Sequence, residues 1–491
     1  MSHLNRRQFL RTSAAASTTF GLVTIAGTKA SGRVIGANDT IRIGVAGIRG
    51  RGQSHIDAFS KNGAENRVAI TYLIDPDTRL FQSRTAHVEK NGGSPPKCVK
   101  DIREALDDQN LDAVSVATCN HWHSLITIWA CQAGKDVYVE KPISHNVFEG
   151  RKCVEAAEKY KRIVQHGTQQ RSSEGRAREI AALQSGKYGK LTVSKAYACK
   201  PRWSIGTKPI TAPPAELDFN IWLGPAPEQS YHGNLVPYNW HWFWDTGNGE
   251  IGNQGVHEMD VARWAIKDSN LPKSVWSLGG RFTPSATGLT DQGQTPNMQM
   301  AVFDFGDALL VFEVRGLVGN KQKGDVPSKV KNEFYTTEGV IRDGKFYRGG
   351  QGDGEPVSGP EVHVTPGGPF GSFLQAVRSR KKEEVNADAL TAHYSAALCH
   401  LGNISYRLGE PVPFEKSSGK LGDNHQVIES FDALRDNLKA VGLNLAETTY
   451  SVGPKLAFDP AAERFTGDRA DAANAMLSRP YRAPFVVPEQ V

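Results

Sequence analysis

The chain has 491 residues, 39% hydrophobic and 22% charged, with a formal net charge of +6. That length suggests two or three domains with a core able to stand alone, and the composition excludes a membrane-embedded chain, a fibre and a largely disordered chain. Four of the 58 basic residues, Arg6, Arg7, Arg11 and Lys29, crowd into the first thirty positions; the rest nearly balance the 52 acidic ones, which leaves no electrostatic case for nucleic acid.

Residues 1–30 read as an address. Arg6-Arg7 is followed by Phe9-Leu10, a weakly apolar run from Thr12 to Gly27, and the small-x-small end Thr28-Lys29-Ala30. This order predicts a twin-arginine export signal and a periplasmic or other extracytoplasmic location. The run is too short and polar to span a bilayer, and no later stretch approaches ~20 apolar residues, so no membrane anchor is expected in the mature form.

From Thr40, short apolar runs alternate with amphipathic stretches. Strands are predicted over 41–47, 68–75, 111–118, 136–140 and 162–166, with helices over 52–61, 122–133 and 147–160. Connections this long mean βαβ units and a doubly wound parallel sheet, an α/β Rossmann domain over 38–165. After about residue 190 the texture changes. Strands are predicted over 191–200, 273–282, 297–305, 308–316 and 333–341, implying a second α+β domain, 166–410, with a large, mostly antiparallel sheet. A helix over 388–407 is expected to pack back on the first domain. Residues 411–491, with a helix near 424–440, read as a wrapping extension. Six cysteines show no CxxC or Cys/His clustering, so neither a metal centre nor a disulfide framework is expected.

The first predicted strand runs into Gly47-Ile48-Arg49-Gly50-Arg51-Gly52 and then a helix. This is a dinucleotide turn with arginine where the middle glycine belongs; Arg49 or Arg51 could pair with phosphate instead. Such a turn alone is weak evidence. Asp75 strengthens it, because a carboxylate ending the second strand binds a ribose diol and repels a 2′-phosphate, favouring NAD over NADP.

Thr118-Cys119-Asn120-His121-Trp122-His123 follows the third predicted strand, and Glu140-Lys141-Pro142 ends the next. With Trp222-Leu223-Gly224-Pro225, the stretch 245–260 and the stretch 397–408, these motifs resemble the Gfo/Idh/MocA oxidoreductases, most of all their twin-arginine-exported members. The resemblance implies NAD as cofactor, with Thr118, Asn120, His121, His123, Glu140, Lys141 and Gln169 around it beside the Gly-rich turn. Two positions depart from the family pattern. Cys119 replaces a proline, and Asn253 stands where an acid four residues before His257 is usual.

Oxidising a carbinol needs a base for the hydroxyl proton. The resemblance points to Lys141; outside its triplet a solvated lysine would be the better reading. His257, expected on one helix face with Asn253, can share or relay the proton, and Asp260 could orient it or simply lie on the helix surface. The aromatic run 238–244 offers Tyr238 and Trp240 to stack on a sugar, with Asp245 or Arg202, beside Trp203, to bond hydroxyls; a packed corner is the equally weighted alternative.

The expected function is an NAD-dependent oxidoreductase acting on a hydroxyl of a small-molecule carbohydrate (a sugar, glycoside or cyclitol), with tightly held cofactor. One alternative is an NAD-dependent glycosidase or lyase working by transient oxidation and elimination. Lys141 weighs against it, since such relatives lack the lysine of the triplet. Another is a non-catalytic sugar-binding module. A homo-oligomer joined through the exposed face of the large sheet is also expected.

Overall fold

The structure, a computed structural model, describes residues 39–62, 67–268, 270–283, 291–414 and 421–491; the expected export signal lies outside them. Short runs rich in Val and Ile form β1 (Ile41–Ala46), β2 (Val68–Ile74), β3 (Lys97–Val99), β4 (Ala113–Val116), β5 (Asp136–Val139) and β6 (Val164–His166). They pair in parallel in the order 3-2-1-4-5-6. Helices cover both faces, which is why β4 and β5 are buried at every residue and read as unbroken apolar runs. Order reverses between β1 and β4, and the crevice outside those carboxyl ends is where such sheets take ligands.

The second sheet holds β7 (Leu191–Cys199), β8 (Ser274–Gly280), β9 (Met298–Asp304), β10 (Leu309–Arg315), β11 (Lys329–Thr336), β12 (Gly339–Arg342), β13 (Lys345–Arg348) and β14 (Glu355–Pro356), and further along β15 (Glu410–Pro413), β16 (Thr449–Val452), β17 (Leu456–Asp459) and β18 (Arg464–Thr466). It is antiparallel except for the pairing of β7 with β10. The stretch 333–341, expected as one strand, is instead a hairpin. The Thr336 hydroxyl accepts from the backbone N–H of Glu338 (3.3 Å) and of Gly339 (3.2 Å), turning the chain between β11 and β12. The helix Phe81–Lys90 and the three-residue β3 lie between the predicted strands 68–75 and 111–118, where no element is predicted.

Side chains alternate across this sheet. Ala301 and Phe303 of β9 join Leu310 and Phe312 of β10 against the helices Gly255–Ala265 and Ala389–Arg407. Met298, Met300 and Val302 face the other way, with Val311, and meet Phe414, Val427, Phe431, Leu434 and Leu438. Over β9 and β10 the outer face expected to be free for a second subunit is therefore covered by the chain's own helix His425–Ala440, whose apolar residues recur at helical spacing.

The helix Ala389–Arg407 ties the two cores. Ala389, Ala392 and Ala396 belong to the first-domain cluster, while Ala397, Leu398 and Leu401 belong to the second. The helix Gly368–Ser379, within the stretch read as substrate domain, lays Phe373, Leu374 and Val377 on the first sheet beside Ile43 and Tyr138. A strap over 479–487 returns to the first domain at Trp122 and Glu149 and to the second at Asn220. Phe485 packs edge-on to Trp122 at 5.4 Å, Arg482 donates to the Asn220 carbonyl at 2.7 Å, and the Tyr481 hydroxyl donates to Glu149 at 3.1 Å. No helix among the described residues is long and apolar enough to cross a membrane.

Candidate active site

A cleft of about 410 Å³ opens at the carboxyl ends of β1, β2, β4 and β5. At β1 the chain turns sharply. Gly47 has φ +79°, and a Cβ there would lie 2.6 Å from the Ala117 carbonyl; a Cβ on Gly52 would lie 1.8 Å from the Gly47 oxygen. Both glycines serve the turn itself. Gly50, the first residue of the following helix, has nothing within 4 Å of its missing Cβ and lines the cleft, leaving a cradle where a ligand can approach backbone. Arg49 adopts ordinary extended backbone (φ −77°, ψ −157°) and swings its guanidinium to Asp77, so the turn closes without a middle glycine. Neither arginine of the turn waits for phosphate: Arg49 is paired with Asp77, and Arg51 Nε donates to Glu140 at 2.6 Å.

Asp75 stands at the end of β2, buried, with one oxygen accepting from Ile48 N–H (3.0 Å) and the other from Asp77 N–H (2.9 Å). Burial lifts its carboxyl to about 6 against those bonds. Each oxygen retains a lone pair for a diol. Asp77, not singled out by the sequence, also lines this end, within hydrogen-bond reach of Arg49 and Arg79. Its position two residues beyond Asp75, across Pro76, was the available signal.

At the β5 end, Glu140 is a hub. It accepts from Arg51 Nε and lies 3.1 Å from His55 Nε2, whose other nitrogen meets Ser115 Oγ at 2.7 Å. Burial alone would raise its carboxyl, but His55 and Arg51 hold it well below the usual range. Lys141 Nζ reaches across the cleft to Asn253, donating to its carbonyl at 2.6 Å and lying 3.4 Å from its side-chain oxygen. Burial lowers the Lys141 ammonium from its ordinary value, opposed by Glu140 and Glu250. His257 lines the same wall with its imidazole pushed down to about 3 by burial and by Lys141, so it rests in the neutral form near pH 7.

The expected single helix through Asn253 and His257 is broken. Gly249–Asn253 and Gly255–Ala265 are separate helices meeting at Gln254, and a Cβ on Gly255 would strike Phe312 at 2.3 Å. Both residues still face the cleft. Asp260 does not orient His257. Its oxygens accept from Arg171 Nε and Nη2 at 2.9 Å each and from Ser395 Oγ at 2.6 Å, in the buried seam between domains.

The other expected residues divide. Thr118, Asn120, His123, Gln169, Tyr238 and Trp240 line the cleft. His123 lies 2.7 Å from the Pro142 carbonyl and 3.0 Å from that of Thr118, stapling two strand ends. Ile48 and Gly52 shape the turn from behind. His121 is fully buried between the carbonyls of Thr246 (3.2 Å) and Trp222 (2.9 Å), away from the wall. Arg202, Trp203 and Asp245 lie outside the cleft wall: Arg202 pairs with buried Glu250 at 2.6 Å, Trp203 Nε1 donates to the Val318 carbonyl at 3.1 Å, and Asp245 is exposed. The aromatic run is thus half packed corner and half wall. Trp122 and Trp222, quoted in the motifs but given no role, complete the wall.

A parallel 3-2-1-4-5-6 sheet, a glycine cradle at a helix start and a carboxylate ending β2 define a dinucleotide-dependent oxidoreductase with a separate substrate domain. Residues 41–168 match the NAD-binding Rossmann fold of the Gfo/Idh/MocA oxidoreductase family, and residues 183–288 match that family's C-terminal alpha/beta domain. Over these two segments the chain matches this family, and its cofactor is NAD. It is 28% identical over 180 residues to an alpha-N-acetylgalactosaminidase of Shewanella oneidensis, covering 32% of this chain and 38% of that one. A glycosyl hydrolase family 109 protein of Shewanella pealeana is 25% identical over 223 residues, 41% of this chain and 48% of its own. The chain thus spans less than half the length of these curated relatives. In fold it is similar to the WlbA dehydrogenase of Bordetella pertussis, solved with NADH and UDP-GlcNAcA, at TM-score 0.52 and 18% identity, covering 75% of this chain and 97% of that one.

Proposed function

We propose that this protein cleaves a sugar glycoside by transient oxidation of a ring hydroxyl, elimination of the aglycone, hydration and re-reduction. The observation that supports this reading is that two groups able to accept a proton, Lys141 and His257, share one wall of the cleft, each held toward its neutral form by burial. Plain oxidation of an alcohol needs one proton acceptor, whereas oxidation followed by elimination needs a second, for a C–H bond. Similarity to glycosidases over the matched segments supports the hydrolytic outcome. The lysine that favours a simple dehydrogenase in the sequence has work in both reactions.

Gly47, Gly50 and Asp75 would hold NAD, which when bound would supply a reversible acceptor for the hydride of the carbinol carbon. Lys141, as free amine, accepts the hydroxyl proton, and the new carbonyl acidifies the adjacent C–H. His257 takes that proton; the released electron pair becomes a C=C bond as the C–O bond to the aglycone breaks. The departing oxygen is protonated from solvent at the cleft mouth. His257 exchanges the captured proton with solvent at the cleft mouth. Water then adds its hydroxide to the carbon that lost the aglycone and releases its proton to solvent, His257 protonates the neighbouring ring carbon, and Lys141 returns its proton as the hydroxyl is restored. One water is consumed and no net oxidation occurs.

The purified protein, incubated in D₂O with a panel of nitrophenyl glycosides and no added NAD, should release nitrophenol and leave one solvent deuterium on the sugar ring. Growth of a reduced-nicotinamide band with no aglycone released would overturn the glycosidase reading in favour of a dehydrogenase. A cofactor that regains its hydride in place suits a compartment without free NAD, so we retain residues 1–30 as a twin-arginine signal; fractionation of cells expressing the full chain tests it.

A further inference from the structure

Asn253 breaks the family pattern by placing an amide where a carboxylate is usual, yet the site does not lack a carboxylate. Glu250, one helical turn earlier and 1% exposed, accepts from Asn253 Nδ2 at 3.1 Å through the same oxygen that receives Arg202 Nε at 2.6 Å. Its second oxygen is buried without a hydrogen-bond partner. The amide of Asn253 has two ends, and Glu250 fixes which faces which: with its nitrogen held by the carboxylate, its oxygen is turned to Lys141 Nζ. An unconstrained amide could equally present N–H groups to the ammonium, which would repel it. A buried carboxylate is tolerated when it is paired, and Arg202 supplies that partner to Glu250.

We propose that Glu250 is a positioning residue for Lys141, acting through Asn253 in place of the carboxylate absent from position 253. This rests on Lys141 being the base of the reaction. Other charged groups act on the Lys141 amine as well: Glu140 and Glu258 favour its ammonium form and Arg51 opposes it. Removing the Glu250 charge should therefore lower the amine's pKa further, and let the Asn253 amide turn.

The test is a double-mutant cycle of Glu250→Gln and Asn253→Asp on the full chain, each variant checked for retained NAD and unchanged melting. Two quantities are read: the pH profile of kcat/KM, and the pH dependence of Lys141 acetylation by acetic anhydride, followed by mass spectrometry. Glu250→Gln should move both midpoints to lower pH and reduce kcat about tenfold with KM nearly unchanged. Asn253→Asp alone should also be impaired, because it sets two carboxylates side by side. The double variant, with one carboxylate restored nearer the lysine, should recover to within about threefold of wild type. Additive losses in the double variant, or unchanged Lys141 acetylation in Glu250→Gln, would overturn the proposal. Should Glu250→Gln fail to fold, Glu250→Asp is read instead and must show the same direction at smaller size. Acetylation does not depend on the reaction, so a shifted Lys141 without aglycone release would remove the glycosidase reading and leave this one standing.

Discussion

The two ends of the cleft solve opposite problems. At the β2 end, carboxylates stand in the wall: Asp75 held by two backbone N–H groups and Asp77 by two arginines. At the β5 end, the wall carboxylate Glu140 is occupied by Arg51 and His55, and what remains open is Lys141, Asn253 and His257. A nucleotide's ribose needs fixed acceptors that never change, while proton transfer needs groups free of charge and able to gain it. The same burial that raises Asp75 lowers Lys141 and His257. One physical cause thus leaves a raised carboxyl at one end and, at the other, two groups held toward their neutral forms.

Exchanging residues across this divide should separate the functions. Lys141→Ala removes the first base and should lower kcat by roughly 10²-fold or more while NAD stays bound, measured by aglycone release and by cofactor content after denaturation. His257→Ala should cost about tenfold and, more tellingly, reduce deuterium incorporation into the ring in parallel with turnover; full incorporation in this variant would show that another group takes the C–H proton.

At the other end, Asp75→Ala should leave the chemistry of bound cofactor intact but narrow the preference for NAD over NADP by about tenfold, a change of ~1.4 kcal/mol. The acidity of Asp75 adds a pH signature. Because its carboxyl is lifted to about 6, the ionised acceptor is lost as pH falls through that value, so NAD retention should weaken there and Asp75→Asn should abolish the dependence. In the cofactor-free protein the sign reverses. A raised carboxyl stabilises the fold fully below its ordinary value near 3.8 and loses that contribution as pH rises through about 6. The smallest effect is expected from Gly50→Ala, which meets no protein atom: melting unchanged, NAD affinity down about threefold.

Much of this divide was legible in the sequence, unequally at its two ends. The Gly47–Gly52 turn and Asp75 announce themselves because adjacent residues on one strand–turn–helix unit do the work. Lys141 and His257 carried weight only through motifs, since nothing local distinguishes a catalytic lysine from a solvated one. The error over Asp260 has a plain cause: it shares a helix with His257, three residues on, but the bidentate hold of Arg171 and the hydroxyl of Ser395, both far away in sequence, occupy its oxygens. Arg202 likewise looked like a hydroxyl ligand because its partner, Glu250, is visible only once the chain has folded. The covered sheet face went unseen for the same reason. Amphipathicity in 424–440 shows that this helix has an apolar side, not which surface it meets.

The strap over 479–487 gives the cleft a history in time. Trp122 lines the cleft, yet it is braced by Phe485, and Glu149 by Tyr481, 332 positions further along the chain. A nascent chain that has emerged only through β6 can pair all the strands of the first sheet, but it has no brace behind Trp122 and no Asn253 for Lys141 to reach. Closing so long a loop is slow, and local elements form before it does. If these contacts help to hold the dinucleotide, its durable capture is expected to be a late step. A ribosome-bound chain stalled before residue 479 should hold NAD only loosely, and one extended past residue 487 should hold it fast.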